Sequence, residues 1–253
     1  TTTQNPSTGV PITQDNPVLQ YYFTRLTAIE SPYEKDLLWT GSDDCRLNVS
    51  KDRGKNWADV TPPTAGKWMM WNCIDADPFK KGAAYIVGTK YKLDDFKPYI
   101  FKTEDYGKTW KEITNGIPAM HFARTIRADK KRAGLLYAGT EYGMYISYND
   151  GANWLPFQLN LPIVPITDLT IKNNDLIVAT QGRAFWSIDD LTPVQQYDAA
   201  TVNRNFYVLP VNDAYRRDGS VNANAKNSGT NPANGSVINF YVKDIIDSVK
   251  GSI

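Results

Sequence analysis

Three stretches of this chain align without gaps: Ser50-Lys-Asp-Arg-Gly-Lys-Asn-Trp57, Thr103-Glu-Asp-Tyr-Gly-Lys-Thr-Trp110 and Ser147-Tyr-Asn-Asp-Gly-Ala-Asn-Trp154. Their tryptophans lie 53 and 44 residues apart. Each reads Ser/Thr, any residue, Asp/Asn, any, Gly, any, Thr/Asn, Trp. A chain reversing between antiparallel strands needs a residue at positive φ, and Gly54, Gly107 and Gly151 supply it. Asp52, Asp105 and Asn149 stand where a short side-chain oxygen accepts turn N–H groups. Ser50, Thr103 and Ser147 add local hydroxyl bonds, and Trp57, Trp110 and Trp154 are expected to fold back over their hairpins as apolar plugs. On this reading the acids of the repeat build turns and do no chemistry.

Each repeat is preceded by an apolar strand ending in small and hydroxyl residues: Leu37–Ser42, Ala84–Thr89 and Leu135–Thr140, with Leu176–Thr180 as a fourth case. Another short strand and a polar turn come before each. The unit is therefore strand, turn, strand, loop, strand, box, strand. Such units of about 40–50 residues have the size of propeller blades. A β-sandwich is the competing all-β architecture, but it predicts no such repeat. The expected organisation is a polar lead-in over 1–20, four propeller blades over 21–198, a strand plus linker over 199–235, and the start of a further β-domain over 236–253. The fourth box, Ser187-Ile-Asp-Asp190, lacks Gly and Trp. Four blades is the low end for a closed ring, so further blades of the same protein or of a partner protein are expected.

Composition excludes several classes. Formal net charge is +1, which gives no field for nucleic acid. No apolar run reaches the length of a membrane helix, and the polar N-terminal stretch has no signal-peptide pattern. An export signal is expected outside this chain. Cys45 and Cys73 either form one bridge or act as two small buried hydrophobes. One histidine, His121, is too few for a Cys/His metal site, and no phosphate-binding loop, dinucleotide fingerprint or nucleophile elbow occurs.

The runs TGSDDCRLNVSKDRGKNW, DDFKPYIFKTEDYGKTW, GLLYAGTEYGMYISYNDGANW and VATQGRAFWSIDD resemble Asp-box (BNR-repeat) propellers of the sortilin type. They are similar to large secreted bacterial proteins labelled glycosyl hydrolase or sialidase-like. The resemblance covers about Thr24 to Asp190, and NPANGSVINFYVKD resembles the beginning of the β-sandwich that follows in those proteins. It implies an all-β propeller at an extracellular or cell-surface location. Cys45, Arg53 and Asn149 depart from the usual pattern. Neither a sialidase arginine triad nor a tyrosine–glutamate nucleophile pair can be assigned.

Propeller geometry puts the boxes on one face with the turns between first and second strands. The opposite face carries the loops between second and third strands: Ser42–Cys45, Thr89–Lys97, Thr140–Tyr142 and Thr180–Arg183. They present Asp43, Asp44, Lys90, Asp94, Asp95, Glu141, Tyr142, Gln181 and Arg183 as ligand-face candidates. Asp43 or Asp44 with Glu141 would be the acid pair of a glycoside hydrolase, with Trp68, Trp71 or Tyr142 as sugar platforms. The same acids equally suit strand capping and ion pairing. Asp94-Asp95 is compatible with a structural Ca²⁺, and Arg183 is expected to brace the channel. His121, in a loop between consecutive units, is read as packed or surface. The function expected is recognition or scaffolding, with a peptide, protein or glycan ligand on the loop face; the alternative is a glycoside hydrolase fragment.

Overall fold

The structure, a computed structural model, describes residues 25–211, 213 and 235–243. The expected lead-in, the Tyr21 edge of the first unit, nearly all of the linker and the last ten residues lie outside the described residues. The chain forms two compact units that divide between Asp189 and Asp190.

The first unit is a succession of antiparallel sheets, each in simple chain order. Sheet one comprises β1 (Arg25–Glu30), β2 (Leu38–Ser42), β3 (Leu47–Ser50) and β4 (Ala58–Asp59). Sheet two comprises β5 (Met70–Ala76), β6 (Ala84–Lys90), β7 (Asp95–Thr103) and β8 (Lys111–Glu112). Sheet three comprises β9 (Ala123–Ala128), β10 (Leu136–Thr140), β11 (Gly143–Ser147) and β12 (Leu155–Pro156). Sheet four has three strands, β13 (Ile166–Lys172), β14 (Asp175–Thr180) and β15 (Phe185–Ile188). The fourth unit thus lacks the outer strand expected of it. Without the box Gly and Trp, no hairpin returns the chain beside β15. It enters two short helices instead, α1 (Thr192–Gln196) and α2 (Ala199–Val202).

The three boxes share one bonding scheme. The Ser50 hydroxyl donates to Asp52 at 2.8 Å and accepts from the Gly54 N–H at 2.7 Å. Thr103 with Asp105 and Gly107, and Ser147 with Asn149 and Gly151, repeat it at 2.9–3.0 Å. Gly54, Gly107 and Gly151 have φ of +81°, +80° and +78°. The residue before each glycine, Arg53, Tyr106 and Asp150, also has positive φ, as the two central residues of a type I′ turn do. Its N–H is spent on the turn between first and second strands: Arg53 on Asp36 O, Tyr106 on Gly82 O, Asp150 on Gly134 O. Boxes and those turns therefore share one face, as the repeat implied.

The tryptophans depart from expectation. Trp57 does lie over its own Gly54, but Trp110 and Trp154 reach back to the preceding sheet. The Trp110 indole donates to Val60 O and that of Trp154 to Ile113 O, each at 2.7 Å. Val60 and Ile113 follow β4 and β8, so each acceptor ends the outer strand of the sheet before. Trp110 also meets Trp39 of β2 edge-on at 6.4 Å. Glycine is required here for closeness as well as for φ: a Cβ on Gly107 would come 2.6 Å from Val60, and one on Gly151 2.5 Å from Ile113. Sheet four brings no indole to the equivalent site. There Phe157 holds the position of Val60 and Ile113, and its ring lies 6.2 Å from Tyr137.

Two apolar clusters fill the seams between sheets. Trp39 and Leu47 meet Trp71, Ile74 and Phe101 in one; Tyr85, Val87 and Ile113 meet Ile126, Ala138 and Trp154 in the other. In the second unit, β16 (Phe206–Val208) pairs antiparallel with β17 (Phe240–Val242). The strand expected to open a further domain is thus the partner of the one at Phe206. Asp198 caps α2 by accepting from the Thr201 N–H at 2.6 Å.

Trp154 is 1% exposed and Trp57 43%. Trp154→Ala is expected to cost about 3–5 kcal/mol in urea unfolding, and Trp57→Ala about 1 kcal/mol or less. Equal costs would show that the indoles serve only their own hairpins.

Candidate functional site

The first strands of the four sheets lie side by side, β1 on β5, β5 on β9 and β9 on β13. All four carry a register shift at the same place, between Arg25 and Thr27, Trp71 and Cys73, Ala123 and Thr125, and Ile166 and Asp168. A bulge inserts one residue and re-aims its side chain. The inserted positions are Leu26, Asn72, Arg124 and Thr167. Asn72 accepts from the Thr89 hydroxyl at 2.9 Å, Arg124 Nε donates to Glu141 at 2.6 Å, and the Thr167 hydroxyl donates to Ala179 O at 3.2 Å. Each of these three bulges therefore ties its strand to the far end of the second strand or the loop beyond. That is the loop face.

Beyond the bulge the alternation of each strand puts matched residues on one surface. Pairing with the second strands aligns Thr27, Cys73, Thr125 and Asp168, then Ile29, Asp75, Arg127 and Thr170. All but Thr170 line an open groove of about 420 Å³. A second hollow of about 380 Å³, which shares Asp75 and Arg127, continues towards Tyr33 and Lys130 at the turn face.

Arg127 is the hub. Its guanidinium donates to Cys73 Sγ at 2.7 Å on one side and to Asp168 at 2.8 Å on the other, joining three first strands. Asp75 accepts the Ala128 N–H at 2.8 Å. Burial pushes its carboxyl up to about 6, against the pull of Arg127. None of Arg127, Asp75 and Asp168 was singled out from sequence. The available signal was their place in short apolar strands, where a charged residue needs a partner.

The residues expected from sequence are dispersed. Asp44 is bound to the Ser42 hydroxyl of its own turn and pairs with Arg46 at 3.7 Å. Asp43 has one carboxylate oxygen enclosed without a hydrogen-bond partner. Glu141 is committed to Arg124. Trp71 is fully buried, with its indole on Cys45 O, so it offers no platform. Trp68 is half-buried. Tyr142 is 48% exposed and rests on the His121 ring at 4.7 Å. His121 Nδ1 lies 2.7 Å from the Tyr145 hydroxyl, and burial pushes its imidazole down.

Asp95 is a strand residue that accepts from Tyr99 and the Lys97 N–H, and Asp94 caps the 3-10 turn at Tyr91–Leu93 in the left-handed region. Among the described residues no three Asp, Glu, His or Cys side chains converge as a cation site. The Lys90 ammonium lies 5.1 Å from the Tyr99 ring centre. The Gln181 N–H bonds Pro165 O. Among the described residues the Arg183 side chain bonds Gly182 O of its own turn, while Arg124 and Arg127 make the ion pairs that cross between elements. Both cysteines are free, Cys73 buried and Cys45 half-buried.

The family described as BNR-Asp box repeat matches at residues 47–60 and 100–113, two stretches that hold the first and second boxes. This is a chain of Asp-box repeats in propeller-type sheets. The vacuolar protein sorting/targeting protein 10 of Laccaria bicolor is 32% identical over 106 residues, 41% of this chain and 6% of that protein's length. A structure titled YCF48 bound to D1 peptide aligns at TM-score 0.48 and 19% identity over 64% of this chain and 55% of its own. The GH74 xyloglucanase of Xanthomonas campestris aligns at 0.48 and 12% over 65% of this chain and 29% of its own. The chain thus spans a small part of its sequence relative and less than two thirds of either structure. The fold assignment rests on its own sheet order and boxes.

Asp75 is protonated more easily folded than unfolded. The stability this adds is complete below its ordinary value of 3.8 and is lost as pH rises through about 6. Asp75→Asn is therefore expected to be more stable than the parent at pH 8, by about 1–3 kcal/mol, and to match it near pH 3.5. Denaturant titrations at the two pH values measure this; a pH-independent difference would contradict it.

Proposed function

We propose that this Asp-box repeat chain is a recognition module, and that its ligand seats in the first-strand groove from the loop face. The observation that carries this is the state of the polar groups there. Arg124 is paired with Glu141, and Arg127 with Asp168 and Cys73. The charges are balanced and held in place, which suits orientation of a bound molecule. A ligand that both donates and accepts hydrogen bonds, such as a glycan or an extended peptide, fits that surface better than a highly charged one. The resemblance to secreted Asp-box proteins supports an extracellular or cell-surface setting. Among the described residues no helix is long and apolar enough to cross a membrane.

A glycoside hydrolase reading has one observation in its favour. Asp75, with its raised value, and Asp168, paired with Arg127, line the same groove. Such unlike environments are what separate a general acid from a carboxylate partner.

Glycan and peptide arrays probed with the chain distinguish the two readings. Arg124→Ala is expected to weaken binding about tenfold or more, a loss of ~1.4 kcal/mol, and Asp52→Asn in the first box to leave it unchanged. Turnover of a bound glycan that disappears in Asp75→Asn and Asp168→Asn would establish the hydrolase. Equal binding by Arg124→Ala and the parent would refute a ligand at the groove mouth.

A further inference from the structure

A net charge of +1 hides a layered arrangement at the turn face. That face is built from the turns 31–36, 77–82 and 129–134 and the boxes 50–57, 103–110 and 147–154. It is continuous over sheets one to three. Glu34 of the first turn accepts the Gly82 N–H at 3.2 Å and the Tyr106 hydroxyl at 2.8 Å, and Tyr85 of sheet two donates to Asp150 of the third box at 2.7 Å. The acids of this face are spent inward. Asp77 takes the Phe79 N–H and Asp129 the Lys131 N–H, each at 2.7 Å. Asp52 and Asp105 take the N–H groups of Asn56 and Thr109, each at 2.9 Å.

The bases stand outward. Apart from Glu104, every exposed charged residue of these segments is Lys or Arg, among them Lys35, Lys55, Lys81, Lys108 and Lys131. Glu104 itself is paired with Lys80 and Lys102, each at 2.5 Å. Turn chemistry explains the layering. A carboxylate accepts the N–H groups that a tight turn leaves over, whereas an ammonium has no acceptor role to fill there. The outer layer of this face is therefore basic although the chain as a whole is nearly neutral.

Exposed rings stand among these lysines. Tyr33 is 42%, Trp57 43% and Phe79 50% exposed. Phe79 sits between Pro78 and Lys80 in the turn that joins β5 to β6, and its ring has no polar atom for water to satisfy. A partner with charge alone to offer, such as a sulfated glycan, would use the lysines and leave Phe79 in water. The interface of a lipid bilayer uses both, because anionic headgroups attract the ammonium groups and the hydrocarbon boundary takes up the rings.

We propose that the turn face of sheets one to three docks peripherally on an anionic lipid surface, with its lysines at the headgroups and Phe79 at the hydrocarbon boundary. This seat lies opposite the loop face. Docking in this way leaves the mouth of the first-strand groove turned to solvent, and the seat does not depend on what that groove holds.

Sedimentation of the chain with vesicles tests this. Binding is expected to phosphatidylcholine vesicles containing about 30% phosphatidylglycerol and not to phosphatidylcholine alone, and it is expected to vanish near ~1 M salt. Lys35→Glu combined with Lys81→Glu and Lys108→Glu is expected to weaken it about tenfold or more. Lys92→Glu combined with Lys97→Glu, exposed on the loop face, is expected to change it less than about twofold, which separates the docking face from net charge. Phe79→Ala is expected to weaken vesicle binding about fivefold and to leave retention on heparin unchanged. No binding to the anionic vesicles, equal binding to both kinds, an equal loss in the loop-face variant, or vesicle binding indifferent to Phe79→Ala would each overturn the proposal.

Discussion

The indoles that end the second and third Asp-boxes, Trp110 and Trp154, are each anchored on a carbonyl of the sheet before, and the seams of sheets one to three depend on that anchor. The box turn fixes the direction of the third strand. Its glycine, bare at Cα, lets the turn sit against Val60 or Ile113. The tryptophan then closes the seam with one hydrogen bond and a large apolar surface. Local turn chemistry and inter-sheet packing are thus one device: the residue that must be glycine for φ must also be glycine for contact. Where the device is missing, at the seam of sheets three and four, a larger side chain, Phe157, stands in the acceptor's place beside Tyr137.

On the inner side, order is kept by polar contacts. Four bulges at one level carry Leu26, Asn72, Arg124 and Thr167, and below them the strands present matched tiers. Arg127 links three of these strands through Cys73 and Asp168, while Asp75 stays in a setting that favours its neutral form. The mouth of the groove is preorganised, since removing Arg124 or Glu141 leaves its partner partly buried without that ion pair. The acids of the boxes have the opposite character. Hydrogen bonds from Asn56, first from its backbone, hold Asp52 at about 2 on the open turn face, where it remains ionised and structural.

The loop-face candidates illustrate how far local pattern reaches. Glu141 and Tyr142 lie between β10 and β11, and each is already engaged, with Arg124 and with His121. Asp94 and Asp95 look like a loop pair in sequence; β7 begins at Asp95, so the two belong to different elements. Trp71 looks like an exposed platform; alternation in β5 turns it into the seam with sheet one.

By itself the sequence determined the sheets, their order, and the face on which the boxes lie. These follow from interactions within eight residues, glycine φ and short side-chain bonds, which repeat and are readable by spacing. The tertiary structure alone decided what the tryptophans hold, that the fourth sheet has three strands, and that Arg127, Asp75 and Asp168 meet. Those depend on contacts between residues about 40 to 55 positions apart, across strands whose register is set by bulges. A bulge reassigns every side chain beyond it to the other face, and the eight-residue box pattern carries no sign of it. That is why the scaffold was legible in the chain and the centre of the groove was not.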